Sequence, residues 1–139
     1  MDYIKFRAKL EEMGTTLTTS EKVAKLNEKT VRIPTPVKKA DIERYLITIG
    51  KYFDLKQSTN ETVVTIMATL ALFETFDCTI HDVMLKYIQA INSLSALELL
   101  SEAERDTLVG MAYKNISWAE ANLGSDITSS DLFNSWVLQ

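Results

Sequence analysis

One histidine and one cysteine among 139 residues close off most of the common routes to catalysis. A Ser-His-Asp or Cys-His unit would have His81 as its only base and Cys78 as its only thiol. The two stand three residues apart at the start of a predicted helix, a setting that can lower a thiol pKa. A lone cysteine among Phe76, Thr79 and Ile80 nevertheless reads more simply as a buried side chain. Structural zinc favours four Cys or His ligands. The densest group of candidate ligands, Glu74, Asp77, Cys78, His81 and Asp82, contains two and reads as acidic caps at a helix junction. Glu102, Glu104 and Asp106 fall in the first turns of another predicted helix, where negative charge meets the macrodipole favourably. The expectation is a non-enzyme, with no catalytic residue, cofactor or metal.

Glycine and proline are also scarce, at four and two residues. Gly14, Gly50, Gly110 and Gly124 are isolated, so no glycine-rich loop is available to cradle a phosphate. Few breakers mean few turns and long elements, which suits helices better than a sandwich or barrel. The longest uncharged stretch in a strongly apolar context, residues 62–73, is twelve residues long, whereas a membrane-spanning helix takes roughly 20. It predicts a buried helix and no membrane association. A single cysteine cannot form an intramolecular disulfide, and Asp2 and its charged neighbours occupy the place of a secretory apolar run. The expected compartment is a reducing one, the cytoplasm, or a virion if the source is viral.

What the chain does contain is enough apolar sequence, 46%, for one hydrophobic core. Helices are predicted over residues 2–13, ended by Gly14, and over residues 20–29. Val31, Ile33 and the prolines at 34 and 36 predict an extended connection from these two helices to the next. From Lys38, the spacing of Ile42, Tyr45, Leu46, Ile49 and Phe53 predicts the first strong helix, strained near Gly50. A central helix begins after the cap at Thr59 or Asn60. Thr79 with Asp82 suggests a capping box for a helix through Ile91, and residues 96–100 a short helix. Ser101 with Glu104 suggests a fuller box for a long helix ended by Gly124, and Ser129 or Ser130 a cap for a last turn or two. The fold class expected is all-α: a helical bundle of four to five main helices over residues 38–139, preceded by a partly extended basic arm over residues 1–37.

Charge is unevenly spread along the chain. Residues 1–56 hold 12 Lys and Arg against 8 Asp and Glu, and residues 57–139 hold 3 against 11, so the net −4 divides into +4 and −8. The arm can fold back on its own acidic body through modest, salt-screened attraction, or reach a neighbouring copy in a heterologous contact. It can also neutralise phosphates of nucleic acid through Lys22, Lys25, Lys29, Arg32, Lys38 and Lys39. The eight interspersed acidic residues rank this last. The predicted helix from Ile80 to Asn92 carries Lys86 as its only Lys or Arg, unlike a DNA-recognition helix. At the other end, Leu132, Phe133, Trp136 and Val137 fall together at helical spacing, as a terminal helix on its own core or as anchors for a partner's groove.

In organisation the chain resembles small helical virion or assembly proteins of tailed bacteriophages. The resemblance is carried by the arm through Thr30-Val31-Arg32-Ile33-Pro34-Thr35-Pro36, the helical body from Lys38 to Gly124 and the apolar C-terminal face. It rests on no motif and carries no functional residue over. It implies a structural or assembly protein, such as a head–tail connector subunit, whose partners are other copies of itself or another protein. Candidate contact residues are Arg32, Lys38 and Lys39 on the arm side and Phe133 and Trp136 at the C-terminal side. A small regulator that binds a cellular protein, and a nucleic-acid-binding accessory protein, are the alternatives.

Overall fold

A computed structural model describes residues 2–14 and 16–132; the candidate contacts Phe133 and Trp136 lie outside the described residues. The described chain is mostly helical, but the all-α expectation is corrected by four short strands in two two-stranded sheets. Two units emerge, and they do not follow chain order. One takes the described residues up to Ile33 and from Asn115 onward, the other Pro34–Lys114.

The first unit starts with α1 (Tyr3–Met13), whose N-cap Asp2 accepts a hydrogen bond from the Lys5 amide and whose C-terminus ends on Gly14 at φ +77°. Helix α2 (Thr19–Leu26) is capped by Thr18. The buried faces of these helices, Phe6, Leu10 and Leu26, pack with Ala119, Ile127 and Leu132. Residues 2–33 are therefore folded against the C-terminal part of the same chain. Asn27 ties the two segments together: its amide donates to the Ile127 carbonyl and its carbonyl accepts from the Ile127 amide, both at 2.8 Å. Gathered by unit, the charges no longer separate. The unit with the N-terminal segment has 7 Lys and Arg against 8 Asp and Glu, and Pro34–Lys114 has 8 against 11.

The long helix expected after Ser101 is instead helix, strand and helix: α7 (Glu102–Gly110), β4 (Tyr113–Ile116) and α8 (Trp118–Leu123). The Ser101–Glu104 capping box forms, and Gly124 ends α8 in the left-handed region at φ +88°. Between them the chain leaves the helix because Tyr113–Ile116 finds a strand partner in β1 (Val31–Pro34). Ser117 starts α8, its buried hydroxyl accepting from the Glu120 amide and donating to Asp126. After α8, Thr128 and Asp131 cap each other's backbone amides, and a helical turn starts at Ser129.

In Pro34–Lys114 the helix expected across residues 38–53 is two helices, α3 (Lys39–Thr48) and α4 (Tyr52–Gln57). Gly50, at φ +75°, supplies the left-handed turn that an L side chain adopts only at a cost. Asn60 caps α5 (Glu61–Leu72), accepting from the Thr62 and Val63 amides. Strand β2 (Val37–Lys38) pairs antiparallel with β3 (Thr75–Phe76), Val37 opposite Phe76 and Lys38 opposite Thr75. The Thr79–Asp82 capping box does not form, because Asp77 takes both the Thr79 amide and its hydroxyl. The N-cap of α6 (His81–Ala96) is Ile80, with no side-chain cap bond. Helix α6 ends at Ala96, and the short helix expected over residues 96–100 does not form: residues 97 and 98 make a turn, with Glu98 in the left-handed region at φ +61°, and residues 99 and 100 a bend. Met84, Tyr87, Ile91 and Leu94 of α6 form the core with Leu46, Val63 and Leu108 among others.

Candidate apolar docking cleft

Helix α5 is uncharged beyond Glu61 and apolar on nearly every side, a pattern that predicts a buried central helix. The structure corrects this. Only Val63 and Leu70 are buried, with Ile66 and Met67 half-buried. Val64 is 50% exposed, Leu72 76% and the following Phe73 52%. Within Pro34–Lys114 the helix packs against α3, α4 and α6 on one side, and no residue of that unit covers the other. Eight of the nine large apolar residues exposed among the described residues belong to Pro34–Lys114, the exception being Ile4. Single exposed apolar side chains are ordinary; several along one helix are not.

Beside this face lies a cleft of about 590 Å³. Helix α5 forms one wall with Ile66, Met67 and Leu70, and helix α6 the other with Val83, Tyr87 and Ile91. Leu46 of α3, Leu108 of α7, Phe73 and Phe76 also line it. The rings of Phe73 and Phe76 meet edge to face with centroids 5.9 Å apart, and Phe76 is tilted against Tyr87 at 6.4 Å. Tyr87 donates its hydroxyl hydrogen to the Leu108 carbonyl, so the one phenol in the wall is already satisfied. Burial raises its pKa well above that of an ordinary tyrosine. The charged lining is Asp77, Asp82 and Lys86. The volume is typical of a ligand or peptide-anchor site.

The Cys78–His81 pair does not assemble into a reactive unit. Cys78 is 1% exposed, and burial, followed by the charge of Asp77, raises its thiol pKa, the opposite of what a nucleophile needs. His81 is exposed at the first position of α6. Among the described residues, no three His, Cys, Asp or Glu side chains converge as a metal site. No helix among them is long and apolar enough to cross a membrane.

The sequence-derived contact candidates are dispersed. Arg32 is exposed on β1, Lys38 exposed on β2 and Lys39 half-exposed at the start of α3. Lys38 and Lys39 adjoin the cleft: Lys38 is paired with Thr75, a lining residue, and the Lys39 amide donates to the Glu74 carbonyl. Sequence reasoning missed the cleft. The apolarity of residues 62–73 was legible, but it fits a helix covered by its own chain as well as one left open. No family model, curated protein or solved structure matches this chain.

Proposed function

We propose that this is a non-enzymatic assembly protein that works through protein–protein contact, with the outer face of α5 and the adjoining cleft as its contact surface. The observation carrying this reading is the exposure of Val64, Leu72 and Phe73 on and just past the most apolar helix of the chain, beside an apolar cleft. Fully burying each such side chain is worth about 1.5–3 kcal/mol. The basic N-terminal segment is a weaker candidate for the contact, because Phe6, Leu10 and Leu26 are spent on the core of their own unit. Neither unit has a net positive charge, which favours protein contact over phosphate contact. The mode of action is that of the virion and connector subunits the sequence resembles in organisation.

Light-scattering mass after size exclusion, at low and at high salt, tests the reading. The full chain is expected to exceed the monomer mass at both, since apolar contact survives screening that weakens surface ion pairs. Leu72→Glu is expected to shift it toward the monomer with an unchanged circular dichroism spectrum. A mass indifferent to Leu72→Glu, or association that high salt abolishes, would overturn it.

A further inference from the structure

The cleft lies between two helices, its walls are apolar, and its charges are confined to Asp77, Asp82 and Lys86. A groove of this kind accepts a segment that offers apolar side chains at i, i+3 and i+4. It disfavours one that brings charge, because a charge moved off water into such walls meets a desolvation cost without a partner.

Few stretches of this chain meet both conditions. Four uncharged stretches of seven residues or more carry several large apolar side chains: 62–73, 87–97, 107–113 and 132–139. The first three contribute to α5, α6 and α7, the elements that build the cleft itself. The fourth is outside that unit. Its first residue, Leu132, is buried in the core formed with Phe6, Leu10 and Ile127. The seven residues beyond it read Phe-Asn-Ser-Trp-Val-Leu-Gln, with Phe133, Trp136 and Val137 at i, i+3 and i+4 and no charged side chain.

We infer that residues 133–139 of one copy occupy the α5–α6 cleft of a second copy, so that the chain assembles head to tail. This rests on the reading of the cleft as the contact surface and names its occupant. Phe133 and Trp136 are the anchors, and the segment carries no charged side chain into the walls. Each copy that gives a segment still has an open cleft. The segment–cleft contact is heterologous: it closes as a reciprocal exchange between two copies or as a larger ring, or grows into an open chain, whereas a contact between α5 faces pairs like with like and stops at a dimer.

Complementation between full-length variants tests it. Trp136→Glu spoils the segment and leaves the cleft; Phe73→Glu spoils the cleft and leaves the segment. Thr69→Arg, at an exposed lining position on α5, is a second cleft variant that leaves the Phe73–Phe76 ring contact in place. Circular dichroism confirms that each folds. The expected result is that the unaltered chain has a mass of two copies or more and each variant alone is a monomer. An equimolar mixture of a segment variant with a cleft variant then forms a dimer that grows no further. A mixture that stays monomeric while the unaltered chain associates overturns the inference, as does an unaltered chain that is monomeric throughout. Loss of association in both cleft variants but not in Trp136→Glu refutes the segment as occupant and leaves the contact surface standing. Loss in Trp136→Glu but in neither cleft variant refutes both.

Discussion

Replacing Asn27 with alanine tests whether the N-terminal segment is a structural part of its unit. The Asn27 side chain makes two hydrogen bonds to one residue 100 positions away, donating to the Ile127 carbonyl and accepting from the Ile127 amide. Ile127 is 3% exposed, so alanine leaves both of its backbone groups to find water at a buried position. A hydrogen bond of this kind contributes about 0.5–1.5 kcal/mol net, and a buried group left without a partner costs about 1–3 kcal/mol. The half-exposed Asn27 side gives water some access, which sets the expected loss at about 2 kcal/mol. With a urea dependence of about 2 kcal/mol/M for a small protein, the midpoint moves down by about 1 M. Equilibrium urea unfolding, followed by circular dichroism and by tryptophan fluorescence, measures it. Asn27→Asp keeps an acceptor for the Ile127 amide but faces the Ile127 carbonyl with negative charge, so it is expected to be no better than alanine. An unchanged midpoint in Asn27→Ala would mean that the two hydrogen bonds hold nothing together and would return residues 2–33 to the status of a loosely attached arm.

Three further outcomes concern single sites. Glu98 holds φ +61° just past the end of α6, a conformation that costs an L residue about 1–2 kcal/mol; Glu98→Gly should raise stability by up to about 1 kcal/mol, read as a higher melting temperature. Glu104 accepts hydrogen bonds from Lys51 and from the Ser101 amide, which lower its pKa. Its contribution is therefore complete above the ordinary carboxylate pKa and fades as pH falls through the lowered one. Glu104→Gln should be less stable than the unaltered chain at neutral pH, with the gap closing in acid; a gap constant with pH would contradict this. Cys78, buried and with its thiol pKa raised, should react with a thiol reagent at neutral pH much more slowly in the native protein than in denaturant, and equal rates would contradict the packing.

The features legible in the sequence are those written in a few adjacent residues. Asp2 and Gly14 frame α1, Asn60 caps α5, Ser101 and Glu104 box the start of α7, and Gly124 ends α8. The extended stretch around Val31 and Ile33 became a strand. The features that escaped depend on residues far apart. Tyr113–Ile116 continues a helical pattern locally and becomes β4 because β1, far earlier in the chain, pairs with it. Thr79 looks like a cap until Asp77 takes its amide and hydroxyl. The apolarity of α5 was plain, but apolarity does not say whether a helix is covered by its own chain or by another. The linear charge asymmetry misled for a related reason: the basic N-terminal segment folds with Glu120, Asp126 and Asp131 in one unit.

Contact through α5, and not through the N-terminal segment, is most directly tested by backbone amide exchange of the full chain, compared below and above its association concentration. Association is expected to slow exchange in α5 and at the cleft-facing turns of α6, and to leave α1 and α2 unchanged. Added protection confined to α1, α2 or β1, with α5 exchanging at the same rate in both conditions, would place the contact on the N-terminal segment instead.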